Sequence, residues 1–396
     1  MTEHVVLWFE DGKGRKIFAR DAEAAGRAAE GRDYIRMRTD VVELDEGEAT
    51  EMIRSGQGLA AEVMPVALIR PTTVDKPDPT SVEAGSWGIE AVGCLETELD
   101  GSGCTVAILD TGIDADHAAF ANLKLERKNF TSNGNDDLHG HGTHCAGTIF
   151  GSDHEGKRIG IAPGVERALV GKVLNDKGSG TTQAIVNGLR WAAESGAHVV
   201  SCSVGLEFDT YFQALRDRGL EHKFALSKAL QEYERTIRIF DAIAQASAAG
   251  SFNHAPFHVF AAGNASERGK GHNQVAAACA PGRCFKMSVG AIAKADEKYQ
   301  VADFSNGPPD IVAPGVAILS AALGGGLTVM DGTSMACPHV AGVAALWAQR
   351  LLKEDGEIRS GIIASKLIAG ARRDQFGDLG KRPRNIVGAG MVRVPE

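Results

Sequence analysis

The feature that most constrains this chain is a set of short apolar runs, at residues 105–109, 168–173, 198–203, 258–262 and 286–291. None alternates cleanly between apolar and polar residues, as a half-exposed strand would. Strands without alternation are buried on both faces, and a parallel sheet covered by helices requires that. Helix-prone segments lie between or beyond the runs, at 142–150, 182–195, within 224–249, and at 335–352. Strand then helix, repeated, predicts an α/β fold with a doubly wound, mainly parallel sheet. Functional sites in such sheets form beyond the carboxyl ends of the strands. The residues that close each run are therefore the ones to examine.

Residues 1–75 have a different character. Strands are expected at 5–10, at 34–44 (one or two) and at 61–70, with helices at 21–30 and 48–55. The order β-α-β-β-α-β describes a small α+β module. Three prolines between Pro71 and Thr80 mark a tether, because proline blocks helix and the segment has no core-facing period. The expected organisation is a module over 1–75, a linker over 76–85 and a larger domain over 86–396.

The balance of residues narrows the function. The chain has 396 residues, 43% hydrophobic and 23% charged, which suits a soluble domain with a large core. Its net charge is −9 and no Lys/Arg block stands out, which argues against nucleic acid. No apolar stretch reaches the roughly 18 residues of a membrane span, so no membrane partner is expected. The opening Met-Thr-Glu-His-Val-Val-Leu-Trp-Phe-Glu-Asp has acid around its short apolar run and reads as a strand rather than a secretory leader. A cytoplasmic location is the expectation, with secretion left open if a leader has been removed. The seven cysteines are odd in number and dispersed, which suits packed free thiols. Cys279 and Cys284 are near enough in sequence to bridge. No second Cys/His pair has zinc spacing.

Four motifs carry chemistry. Val106-Ala-Ile-Leu-Asp110-Thr-Gly-Ile-Asp114 ends a buried strand in a carboxylate; the plain reading is a turn cap. His139-Gly-His141-Gly-Thr-His144-Cys-Ala-Gly147 brings a histidine into a helix beside glycines. A metal pair of His141 and His144 is the alternative, but no His-Glu-x-x-His is present. Gly332-Thr-Ser334-Met-Ala-Cys-Pro-His puts a serine at the start of a long apolar helix. That serine is either an ordinary N-cap or an attacking oxygen aided by backbone N–H groups. Val259-Phe-Ala-Ala-Gly-Asn264 ends in either a turn or an amide aimed at a developing oxyanion.

Together, in the order Asp, His, Asn, Ser, these motifs closely resemble the subtilisin-like serine proteases, or subtilases. The likeness runs from about residue 86 to 396, including Gly388-Ala-Gly-Met-Val392. It implies a serine endopeptidase working through an acyl-enzyme. Ser334 would attack the scissile carbonyl, His141 would move the proton and Asp110 would orient the imidazole. The Asn264 side chain and the Ser334 N–H would hold the oxyanion. Gly178-Ser179-Gly180 and Ser203-Val204-Gly205 would sandwich a polypeptide substrate as an added strand. Ala261-Ala262-Gly263 would line the pocket for the residue before the scissile bond. The layout of residues 1–75 resembles the family's inhibitory propeptide, so the chain reads as a zymogen. A peptide ligase or cyclase on the same acyl-enzyme chemistry, or a catalytically silent peptide-binding homologue, stays open on sequence alone.

Three departures from the family stand out. A common calcium site of the family needs a carboxylate nine residues after the triad Asp. Ala119 is there, and Lys157 and Arg158 occupy the facing loop, so no cofactor is expected at that site. Residues 207–249 are longer than usual and read as a solvated helical insertion, or as one bordering the cleft. Cys145 and Cys337 lie beside the triad His and Ser and read as packing thiols that could make the enzyme sensitive to thiol reagents.

Overall fold

The computed structural model describes residues 1–10, 16–17, 36–69, 87–246, 256–273, 286–296, 298–377, 379–380 and 383–395. The helix expected at 21–30, the linker over 76–85 and the Cys279–Cys284 pair lie outside the described residues.

The N-terminal part contains β1 (Thr2–Glu10), β2 (Lys16–Ile17), β3 (Arg36–Leu44), α1 (Glu46–Ser55), β4 (Gly58–Glu62) and β5 (Pro65–Leu68). Asp45 and Glu48 form a capping box that starts α1. β1 pairs antiparallel with β2, β3 and β4. The single strand expected over 61–70 is in fact two. β4 stays in this sheet, whereas β5 leaves it.

The remaining strands are β6 (Thr105–Asp110), β7 (Lys124–Asn129), β8 (Arg167–Lys172), β9 (Ser179–Thr181), β10 (Val199–Cys202), β11 (Val204–Leu206), β12 (Phe257–Ala261), β13 (Lys286–Ala295), β14 (Lys298–Val301), β15 (Ile311–Pro314), β16 (Ile318–Ala321) and β17 (Leu327–Met330). The longer helices are α2 (His141–Phe150), α3 (Thr182–Glu194), α4 (Phe208–Asp217), α5 (His222–Ala246), α6 (Thr333–Asp355) and α7 (Ser360–Gly370). The main sheet runs β7-β8-β6-β10-β12-β13, all parallel, with β15 parallel and β14 antiparallel to β13. The fold is thus α/β with a mainly parallel, doubly wound sheet.

The chain leaves β6 toward β8 and β7 on one side and fills β10, β12 and β13 on the other. The switch between the two directions falls between β6 and β10. That is where a crevice opens at the carboxyl ends of the strands. Both faces are buried, as the missing alternation required. Val106, Ile108 and Val259 pack with Ala146, Val340 and Ala344 on the face of α2 and α6. Ala107, Leu109 and Phe260 pack with Leu189, Phe240 and Ile243 on the face of α3 and α5. No helix among the described residues is long and apolar enough to cross a membrane.

The segment read as a solvated insertion is mostly not solvated. α5 packs on β4 and adds Ile237, Ile239, Phe240 and Ile243 to the core shared with Val5, Leu7 and Ala61. α3 reaches the same sheet, with Thr39 Oγ1 donating to Asn187 Oδ1 at 2.8 Å. A partly buried ionic cluster joins the two parts. Lys228 lies 2.8 Å from Glu62 and 3.1 Å from Glu232, and also pairs with Glu46. Arg235 reaches Glu46 at 2.9 Å and Glu232 at 2.7 Å. Glu232 Oε2 accepts the Glu62 N–H at 2.8 Å, and the Tyr211 hydroxyl donates to Glu62.

Burial opposes ionisation of Glu62, but hydrogen bonds from Lys228 and Tyr211 outweigh it and hold the carboxyl below its ordinary value. Glu46 is lowered too, with burial again outweighed by Lys228 and Arg235. A carboxyl lowered on folding stabilises above its ordinary range, and that stability is lost as pH falls through the lowered value. The melting temperature should therefore fall as the solution is taken from about pH 5 toward pH 3. Lys228→Ala leaves the carboxylates of Glu46, Glu62 and Glu232 facing one another and should destabilise by on the order of 3 kcal/mol at neutral pH. Scanning calorimetry across pH tests both. An acid slope as steep in Lys228→Ala as in the parent chain would remove the cluster from the explanation.

Candidate active site

Asp110 is the last residue of β6, and its Oδ1 accepts the Thr111 N–H at 2.7 Å. His141 opens α2, and its Nδ1 donates to the same Oδ1 at 2.8 Å. Both side chains are fully buried. This contact needs helix and strand turn to approach closely: a Cβ on Gly142 would stand 2.1 Å from the Gly112 carbonyl oxygen. Glycine is the residue that permits it.

Ser334 is the second residue of α6 and is also buried. Cys145, one turn into α2, locks the two helix starts together, with Sγ donating to the Ser334 carbonyl at 3.3 Å. Ser203 Oγ donates to the same carbonyl, also at 3.3 Å. Asn264 follows β12 closely. Its Oδ1 accepts from Thr333 N at 2.9 Å and Thr333 Oγ1 at 2.8 Å, which fixes the amide so that Nδ2 is the donor end. That Nδ2 lies beside Gly332, where a Cβ would come within 3.0 Å of it. Asp110 and His141 are thus bonded to each other, Asn264 is bonded to Thr333 beside Ser334, and Cys145 links the His141 helix to Ser334, whose own hydroxyl donates to the Ile69 carbonyl.

The substrate-binding expectations meet there too. Ser179 and Gly180 lie in β9, just after Gly178; Val204 and Gly205 lie in β11, just after Ser203. Between β9 and β11 runs β5, antiparallel to both, with Ala67 opposite Gly205 and Ser179. Leu68 N donates to the Gly178 carbonyl at 2.7 Å. The next residue, Ile69, brings its carbonyl oxygen to 3.2 Å from Ser334 Oγ. The Ile69 side chain is buried in the cluster that contains Ala261, and a Cβ on Gly205 would touch it at 3.4 Å. Ala262 and Gly263 follow directly, Ala262 buried and Gly263 at φ +105°.

Among the described residues, two sets come close enough to hold a cation: Asp110, His141 and Cys145, and Glu46, Glu62 and Glu232. Neither fits one. Burial raises the Cys145 thiol well above its usual value, so it stays protonated, and Lys228 already sits among the three glutamates. Among the described residues His144 joins no such set with His141. His144 Nε2 bonds the Ile318 carbonyl at 2.9 Å, and burial pushes its titration down to about 3. Cys337, raised to about 11 by burial, is a packing thiol like Cys145. Full burial also removes the expected basis for thiol-reagent sensitivity.

Three supporting residues escaped the sequence reading. Thr333 orients Asn264. Lys172, buried, donates to the Thr111 carbonyl at 2.6 Å and braces the turn after Asp110. Asp137 caps the start of α2. Its Oδ1 accepts from Thr111 Oγ1, His139 N and Gly140 N, each at 2.9 Å, and its Oδ2 from Thr143 N at 3.0 Å and Thr143 Oγ1 at 2.7 Å. An acid just ahead of a glycine-led helix was the available signal. Burial opposes its charge, but the Gly140, Thr143 and His139 donors outweigh this and lower the carboxyl. Asp137→Ala leaves these donors without their acceptor and should destabilise by about 3 kcal/mol or more, lowering the melting temperature by several degrees. Asp137→Asn should lose less. A melting temperature within about 1 °C of the parent for Asp137→Ala would refute the cap.

The Subtilase family profile matches residues 101–383. "Subtilisin-like protease 5" of Trichophyton tonsurans is 36% identical over 248 residues, covering 62% of this chain and 52% of that relative. "Intracellular serine protease" of Paenibacillus polymyxa is 35% identical over 257 residues, covering 63% of this chain and 68% of its own length. "Subtilisin-like protease 6" of Arthroderma gypseum is 32% identical over 273 residues, covering 66% and 58%. The profile takes in most of the chain, including Asp110, His141, Asn264 and Ser334. The chain belongs to the subtilase family.

Proposed function

We propose that this chain is a serine endopeptidase with Asp110, His141 and Ser334 as its triad. The observation that carries the reading is the chain's own segment 65–69. It lies between β9 and β11 as an extended peptide, with the Ile69 carbonyl 3.2 Å from Ser334 Oγ. Ser334 Oγ adds to the scissile carbonyl carbon while His141 Nε2 takes its proton. The oxyanion is held by Asn264 Nδ2 and the Ser334 N–H. Collapse expels the amine, which takes the proton from His141, and leaves an acyl-Ser334. Water, deprotonated by His141, then releases the acid and restores the hydroxyl. Asp110 keeps Nδ1 protonated throughout. The sequence-level alternatives of ligase and silent homologue gain no observation of their own. The masses of the products of a short peptide distinguish all three.

Residues 1–69 then act as an inhibitory propeptide within the 1–75 module, followed by the 76–85 linker and the 86–396 peptidase domain. In this register Ile69 supplies the residue before the scissile bond. Self-cleavage falls at Ile69–Arg70, at the upstream edge of the tether. A cytoplasmic location is proposed on the name of the Paenibacillus polymyxa relative.

No metal serves this chemistry in the proposal. The residues at the family's common calcium site do not fit one: Ala119 offers no carboxylate, and the Arg158 guanidinium takes the carbonyls of Gly160, Cys94 and Ile161 at 3.2–3.3 Å. EDTA should shift the melting temperature little. A fall of more than about 10 °C would reveal a metal held elsewhere.

The central test is Ser334→Ala. It should keep the fold, lose turnover on casein and fluorophosphonate labelling, and stay full length by intact mass, whereas the parent chain is cut after Ile69. In subtilisin such a loss is about 10⁶-fold, and removal of the amide donor costs about 10²–10³-fold, the size expected for Asn264→Ala. A Ser334→Ala protein retaining more than about one hundredth of parental turnover sinks the assignment.

A further inference from the structure

The grip on the chain's own segment does not stop where the three-stranded pairing ends. Upstream of Val66, the Pro65 carbonyl accepts from Glu207 N at 3.0 Å. The Met64 carbonyl accepts from Thr182 N at 2.9 Å, and Met64 N donates to Thr182 Oγ1 at 3.0 Å. Both backbone groups of Met64 are thus held by the first residue of α3. These contacts use main chain on the segment's side, so any extended peptide can make those that need no N–H at the proline position.

The Met64 side chain is fully buried, in a pocket walled by Tyr211 and Leu215 of α4 and Ala225 and Ala229 of α5. Thr236 Oγ1 donates to its sulfur at 3.7 Å. Alanine at 225 and 229, one turn apart on α5, leaves the volume that the thioether fills. Among the described residues, the other apolar members of the Met64 cluster all come from 208–229, within the 207–249 segment, and none from the N-terminal sheet. The pocket therefore belongs to the groove and not to the module that fills it.

We propose that α4 and α5 form a sixth non-prime subsite. It selects polypeptide substrates with a methionine- or leucine-sized apolar side chain five residues before the one that donates the scissile carbonyl. The inference rests on the proteolytic reading above and on its register, in which Ile69 precedes the cut. Apolar burial at a site remote from the reacting carbon should act mainly on KM.

The test uses the full-length chain, incubated until its mass stops changing. Three chromogenic anilides are compared: Val-Ala-Leu-Ile, Gly-Pro-Val-Ala-Leu-Ile and Met-Pro-Val-Ala-Leu-Ile. The Met hexapeptide should exceed the Gly hexapeptide in kcat/KM by about tenfold or more, the size of effect one apolar pocket gives. Ala229→Phe, which fills the pocket, should bring that ratio to about one. Leu215→Ala, which hollows it, should reduce the ratio severalfold and serves if Ala229→Phe fails to fold. Equal kcat/KM for the two hexapeptides, with the tetrapeptide cleaved, overturns the subsite alone. A parent chain that neither shortens after Ile69 nor cleaves the tetrapeptide overturns the proteolytic reading and the subsite with it. A ratio that survives in both variants moves the selectivity away from α4 and α5 and overturns the assignment.

Discussion

The contact on which the rest depends is the buried hydrogen bond between Asp110 and His141. Its two partners come from different elements and neither is exposed. Water cannot repair a misplaced geometry there, so the protein must set it in advance. A continuous series of contacts does so. Lys172 fixes the carbonyl of Thr111, the Thr111 hydroxyl bonds Asp137, and Asp137 gathers the first N–H groups of α2. Gly142 then lets that helix rest against Gly112. Cys145 passes the constraint to Ser334 and so to α6. The strand end and two helix starts are one rigid unit, and nucleophilic chemistry requires that of its reacting groups.

The sheet was legible because its central strands are buried on both faces and so lack alternation. The same criterion failed at the edges. β7 carries Lys124, Glu126, Arg127 and Lys128, charges that protect an edge strand from pairing with another chain but hide it from any search for apolar runs. The run at 61–70 read as one strand because its residues from Val63 to Ile69 carry no charged or polar side chain. What divides it is partner choice: β4 pairs with β1, and β5 pairs with β9 and β11. No local pattern encodes which sheet a strand will join. Pro65, lacking an N–H, opens β5, a place where proline is tolerated.

The site divides in the same way. Asp110, His141, Asn264 and Ser334 were readable because each sits in a motif whose order is distinctive. Asp137, Thr111 and Thr333 act by orienting those residues; Asp137 left the signal of an acid just ahead of a helix start, whereas a lone Thr carries no mark of that role. Of the two readings of the 207–249 segment, the solvated one describes only the face that carries Phe224, Leu226 and Leu230. Its other face is buried by strands more than 150 residues earlier in the chain, a tertiary fact that helix periodicity cannot supply.

On the proposed reading, cutting at Ile69–Arg70 breaks a tether and leaves the contacts unchanged. β5 remains paired with two strands, and the module remains on α3 and α5. Before the cut, the linkage gives the segment a high effective concentration at the groove; afterwards, occupancy depends on affinity alone. That affinity is tied to the folding of the module. Among the described residues, the apolar cluster that belongs to the module alone is built on Val6, Leu44, Ala49 and Ala60. Val5, Leu7, Met37 and Ala61 instead pack into the core that holds Leu189, Phe240 and Ile243. A unit this small is marginal by itself, and among the described residues part of its apolar interior is completed by another part of the chain. Docking and folding are then one equilibrium. Loss of the Glu62–Lys228–Glu232 contacts weakens the module's fold as well as its attachment, so the groove opens by the module's unfolding rather than by its leaving intact.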